Sequence, residues 1–149
     1  SFSSVSSPIQ YAAILAFTNA HSPYVNQVRQ ILKQVGIYVY ENLKSNKILI
    51  NKPEGGFYLM PEFINNTFNS SSEMCQNILN ETGVALLPGS VFGFPENRMI
   101  ARLSFTDFDG KEFMKKVSIS EEISQDIIYK FAPKIAEGVT KLKGCVDKI

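Results

Sequence analysis

The sequence predicts an α+β domain: a small mixed or antiparallel sheet of about four strands with helices packed against it. Three observations carry this prediction. Apolar residues recur every three or four positions from Val25 to Leu43, which is a helical period. Short apolar runs at 47–63 and 84–105 are broken by Gly and Pro, the punctuation of strands and turns. The resulting order is helix–helix–strand–strand–helix–strand–strand–helix–helix. Only the connections on either side of the third strand have room for a crossover.

Each element follows from local chemistry. The serine-rich opening at 1–7 reads as a loop. Pro8 suits the first turn of a helix over "PIQYAAILAFTNA", with Tyr11, Ile14, Leu15 and Thr18 on one face. His21-Ser22-Pro23 interrupts it. The segment "GIYVY" has strand propensity. The wider stripe of Val25, Val28, Leu32, Val35, Val39 and Leu43 outweighs it and predicts a helix from about Tyr24 to Lys44. Gly36 costs that helix about 1 kcal/mol relative to alanine.

Strands are expected over "KILINKP" and "GGFYLMPEF", turned at Pro53-Glu54-Gly55-Gly56. Ser71 or Ser72 is positioned to cap a helix from about Glu73 to Glu81, and Gly83 to close it. "VALLPG" and "RMIARLSF" are the remaining strands. Asp107 or Asp109 caps "GKEFMKKV", and Ser120 caps "EEISQDIIYKF". Pro133 either kinks that helix or starts another over Lys134–Val146.

Bulk properties narrow the function classes. A chain of 149 residues with 44% hydrophobic and 19% charged residues is an ordinary globular composition. Its net charge of +1, with no run of like charges, argues against nucleic acid or an anionic membrane surface as partner. No stretch has the apolar length of a membrane span. Cys75 and Cys145 are too few and too far apart for a disulfide framework or zinc site, so reduced thiols in the cytoplasm are expected. The chain does not begin with Met, and it reads as a piece of something larger.

Few residues invite catalysis. His21 is the single histidine, at an expected helix junction, and reads as an exposed turn residue; no metal site is expected. No GxGxxG or GxxxxGK[ST] loop occurs. The acidic pairs Asp107/Asp109 and Glu121/Glu122 sit at expected helix starts, where capping and the helix dipole account for them. The unusual residue is Arg102. The strand "MIARLSF" turns Met99, Ala101, Leu103 and Phe105 to one side and Ile100, Arg102 and Ser104 to the other. An unpaired charge buried in a strand costs several kcal/mol. Three resolutions are open: an edge strand with the guanidinium in water, a structural carboxylate partner, or a cleft that receives an anionic ligand through two parallel hydrogen bonds.

The surrounding motifs bear on that choice. Pro53-Glu54-Gly55-Gly56-Phe57-Tyr58 is followed by Gly83-Val84, then Pro88-Gly89-Ser90, then Phe92-Gly93, then Arg102-Leu103-Ser104. Together with the opening "SSVSSPIQYAAILAF", these resemble, in order, the C-terminal small domain of class I/II pyridoxal-phosphate-dependent aminotransferases. The resemblance runs to about residue 117 and more loosely beyond. It implies that Arg102 grips the α-carboxylate of an amino-acid or 2-oxo-acid substrate, with Phe92 and Gly93 as candidates for the pocket border. Phe57, Tyr58 and Phe92 otherwise read as core residues.

The resemblance also implies what lies elsewhere. The Schiff-base lysine and the groups that hold pyridoxal phosphate are expected upstream of residue 1, in a large domain, and none carries over onto this chain. Lys47 in "SNKIL" superficially resembles the context of that lysine, yet it precedes a small-domain strand. The implied division is residues 1–22 as a tail and helix leaving the large domain, and 23–149 as the small domain. The whole enzyme would be a homodimer that transfers an amino group between amino and 2-oxo acids, and this chain alone would be inactive and bind no cofactor. Family members with related pyridoxal chemistry share much of the pattern. The alternative is a stand-alone module that binds amino or oxo acids, or an interaction domain.

Overall fold

The computed structural model describes residues 4–18, 22–64, 66–116 and 124–148. The helices are α1 (Ser7–Thr18), α2 (Pro23–Leu43), α3 (Ser71–Thr82), α4 (Gly110–Lys116), α5 (Gln125–Phe131) and α6 (Pro133–Val146). The strands are β1 (Ile48–Leu49), β2 (Tyr58–Leu59), β3 (Glu62–Phe63), β4 (Leu87–Pro88) and β5 (Ala101–Ser104). A 3-10 turn at Gly89–Phe92 follows β4. The fold is α+β, as the element order predicts, and the pairings are antiparallel.

The expected second strand is two. β2 pairs with β5 and β3 with β1, and between them stand Met60 and Pro61. Pro61 has no N–H to give to a ladder, although its carbonyl still accepts from the Ala101 N–H at 3.0 Å. The chain stays beside the β5 segment past this break, since the Phe63 N–H donates to the Met99 carbonyl at 2.9 Å. The three-stranded sheet has the order β2-β5-β4, so β5 is central. Pro88 lies on the outer strand β4, where a missing donor is tolerated.

Helix α2 starts and stops within a residue of its expected bounds, with the Ser22 hydroxyl accepting from the Val25 N–H. Gly36 has a packing reason. A Cβ there would lie 3.0 Å from Phe105 Cζ and 3.3 Å from Pro53 Cγ. Two caps differ from expectation, at α3 and α5, and at α4 one of two expected candidates is chosen. α3 is capped by Ser70, one residue before Ser71, through the Glu73 N–H at 3.1 Å. Asp109, not Asp107, caps α4, accepting from Lys111 N–H and Glu112 N–H. Ser124 caps α5 in place of Ser120, because the described helix begins at Gln125. Ser120, Glu121 and Glu122 themselves, like His21, lie outside the described residues. Pro133 opens a new helix after a break at Ala132.

The core gathers Ile31, Val35, Val39 and Leu43 of α2, Met74 and Ile78 of α3, and Ile135, Val139 and Leu142 of α6. From the sheet come Leu59, Leu103 and Phe105. Helices thus cover one face of the sheet. Met99, Ala101, Leu103 and Phe105 are buried as their parity predicts. Ile100 is buried as well, because the turn at Gly89 closes over it. A Cβ on Gly89 would meet the Ile100 carbonyl at 2.8 Å. Helix α1 forms where expected, but none of its residues is buried, and Ile9, Tyr11, Ile14, Leu15 and Phe17 are all exposed. No helix among the described residues is long and apolar enough to cross a membrane.

Candidate functional site

The uncovered sheet face carries Arg102. It sits on the central strand, which removes the edge-strand explanation of its charge. Among the described residues no carboxylate comes within ion-pair distance of it; the other strand-region arginine, Arg98, is the one that is paired, donating from Nε and a terminal nitrogen to Glu62. Among the described residues the structural-partner explanation thus has no candidate. Arg102 is half-buried, on a face where the strand alternation also leaves Ser104 exposed.

Register decides its neighbours. Leu87 lies directly across from Arg102, and Tyr58 directly across from Ser104, which makes Tyr58 a diagonal neighbour of Arg102. Diagonal pairs are within reach of aromatic side chains. The Arg102 Cζ lies 4.3 Å from the centroid of the Tyr58 ring. It also lies 4.4 Å from the centroid of the Phe92 ring, at the end of the turn after β4. These are cation–π distances. Gly93, with φ +85°, ends that turn in the left-handed region, and its N–H donates to the Ser90 carbonyl at 3.1 Å. Gly93 therefore serves the backbone that presents Phe92. The turn is tied down from behind, where the buried Ser71 hydroxyl meets the Ser90 hydroxyl and the Ser71 N–H donates to the Glu96 carbonyl.

The expectation that Phe57, Tyr58 and Phe92 are core residues is overturned. They are 39%, 42% and 41% exposed and stand on the open face. The face is apolar around a single cation, with Leu87 and Val91 also exposed. Tyr58 is the site residue that sequence reasoning misplaced. Its position in the Gly-Gly-Phe-Tyr motif was visible, but its register against Arg102 was not.

Lys47 lies elsewhere. Its ammonium donates to the carbonyls of Val146 and Asp147, each at 3.1 Å, at the C-terminal end of α6, where a cation complements the helix dipole. Among the described residues no group of three or more His, Cys, Asp or Glu side chains is placed to hold a metal ion. Arg102 presents a guanidinium near two rings, and the planar fork of an arginine matches carboxylate and phosphate oxygens alike. A cleft of about 520 Å³ opens between α6, the end of β5 and residues 82–85, away from Arg102, and the charged side chains on its rim are paired, Lys134 with Asp107 and Lys141 with Glu137.

The arrangement has relatives. The family model for aminotransferase class I and II matches residues 1–113. The aspartate aminotransferase of Geobacillus stearothermophilus is 36% identical over 118 residues, covering 75% of this chain and 29% of that protein. A probable aspartate/prephenate aminotransferase of Aquifex aeolicus is 28% identical over 100% of this chain and 32% of its own length. Among solved structures, the aspartate aminotransferase of Thermotoga maritima superposes with a TM-score of 0.62 at 26% identity, covering 97% of this chain and 30% of the other. The chain thus spans about a third or less of the length of these relatives. With a match over most of its residues, the chain belongs to the class I and II aminotransferases.

Proposed function

We propose that this chain is the C-terminal, substrate-carboxylate-binding domain of a pyridoxal-phosphate-dependent aminotransferase. In this reading Arg102 holds the α-carboxylate of the amino acid and of the 2-oxo acid. The observation that carries the reading is the state of Arg102: central in the sheet, flanked by rings, and without a carboxylate partner among the described residues. A guanidinium offers N–H groups in its plane to a planar anion, and two parallel hydrogen bonds fix that anion's orientation. An anchored carboxylate limits the rotation of the substrate and so sets the direction of its Cα–H bond for proton removal. Pyridoxal phosphate, the cofactor of the family, supplies an electron sink when bound. This chain's contribution is to bind, to orient, and to help exclude water when substrate is enclosed.

The proposed division runs between residues 22 and 23. It is supported by α1, which buries none of its residues, and by the core, which begins at Ile31. The remaining groups of the active site, including the Schiff-base lysine, are proposed to come from a large domain of a homodimeric enzyme. Residues 1–149 alone are accordingly expected not to transaminate, and Lys47, occupied at the end of α6, is not proposed for that role. Two buried, free cysteines agree with the cytoplasm as the proposed compartment.

The test is Arg102→Lys in the holoenzyme. Lysine keeps the charge and loses the planar fork. The expected outcome is a fall in kcat/KM of about a hundredfold or more, the scale of a lost charge-assisted bidentate contact, with the absorbance of bound cofactor unchanged. Wild-type kinetics in that variant would remove Arg102 from the site.

A further inference from the structure

Two aromatic residues do more than border the site. We propose that Tyr58 and Phe92 are positioning residues that clamp the Arg102 guanidinium and hold it ready for a carboxylate before substrate arrives. The inference rests on the carboxylate-binding reading of Arg102 given above. The rings come from the two segments that flank β5: Tyr58 from β2 on one side, and Phe92 from the turn after β4 on the other. Both approach the guanidinium at nearly the same distance, 4.3 and 4.4 Å. Neither is required by the core, since each is more than a third exposed.

An arginine side chain has many rotamers, and immobilising it on binding lowers affinity. Two rings at cation–π distance, from the segments on either side of β5, restrict the guanidinium in the free protein. The second ring is carried on a turn built for it. Gly89 seats the turn directly on Ile100, and Gly93 closes it immediately after Phe92. Phe57 packs on Tyr58 with ring centroids 4.3 Å apart and steadies that side of the clamp.

The first measurement is made on the wild-type protein, with Arg102→Lys used only to assign the signal. The sequence holds three arginines, Arg29, Arg98 and Arg102. In protein labelled with 15N-arginine, the side-chain N–H signal that Arg102→Lys abolishes should lie upfield of its ordinary position, because protons above ring faces are shielded. A signal at the ordinary position overturns the clamp. The second measurement is kinetic. Tyr58→Leu and Phe92→Leu keep apolar bulk and remove the ring. Each should return the Arg102 signal to its ordinary position. Each should also raise KM for both amino acid and 2-oxo acid roughly five- to thirtyfold, the scale of a cation–π contact, with kcat largely kept. Tyr58→Phe and Phe92→Tyr should restore signal and KM, which a merely structural role would not require. Unchanged KM in the leucine variants, with Arg102→Lys still impaired, overturns the clamp alone. Unchanged KM in Arg102→Lys overturns the carboxylate reading itself.

Discussion

At Arg102 the physical problem set by the sequence has a specific answer. A charge in the middle of an apolar strand requires water, a partner or a ligand; β5 is central, so water reaches Arg102 only from the open face, and no carboxylate among the described residues lies beside the guanidinium. The alternation of residues 99–105 was legible because strand parity is a local property. The identity of the flanking rings was not, because it depends on which residue of β2 lies opposite which residue of β5. Cys75 makes a different point at the same scale. It is buried in the core, and burial pushes its thiol up to about 11. A raised folded-state value means that the contribution to stability is complete below the unfolded thiol's pKa, near 8.5, and is lost as pH rises toward about 11. Tyr38, raised to about 12 by burial and by Tyr129, extends the loss to higher pH. Urea midpoints should therefore be flat from pH 6 to 8 and fall between pH 9 and 11, by up to about 1.4 kcal/mol per pH unit for one proton. Cys75→Ala should flatten the first part of that fall. An unchanged slope would mean that the thiol is not excluded from water.

Among the elements, the helices follow their sequence periods more closely than the strands follow their apolar runs. α2 was found from its period despite the β-like "GIYVY", because a stripe maintained over five turns outweighs the propensity of five residues. The sheet is less regular than its apolar runs imply, because Pro61 divides one expected strand between two pairings. Gly36 shows an element yielding to its surroundings. On helix propensity alone Gly36→Ala should stabilise by about 1 kcal/mol. The new Cβ would press on the fully buried Phe105 ring, where overpacking costs about 1–3 kcal/mol. The expected net result is a loss of up to about 2 kcal/mol, read as a lower thermal midpoint. A higher midpoint would show that Phe105 can move aside.

For the whole molecule, the contrast between α1 and the remainder is the largest. The helices α2 to α6 and the strands β1, β2, β3 and β5 contribute to one core, while α1 exposes apolar residues around its circumference. Removing residues 1–22 takes away the Ser22 cap of α2 and should lower stability by about 0.5–2 kcal/mol, the scale of a lost N-cap, and no further, because α1 buries none of its residues. A large loss of stability would place α1 within the cooperative unit and move the proposed boundary. The sequence by itself determined the α+β class, the helix periods, the position of Gly83 at a helix end, and the order of motifs that places the chain in its family. These are local or linear properties, carried by neighbours along the chain. Only the tertiary structure decided that β5 is central, that Arg102 has no carboxylate beside it among the described residues, and that Tyr58 and Phe92 stand near it. Those facts depend on strand register, and a slip of one residue would turn each of these side chains to the opposite face.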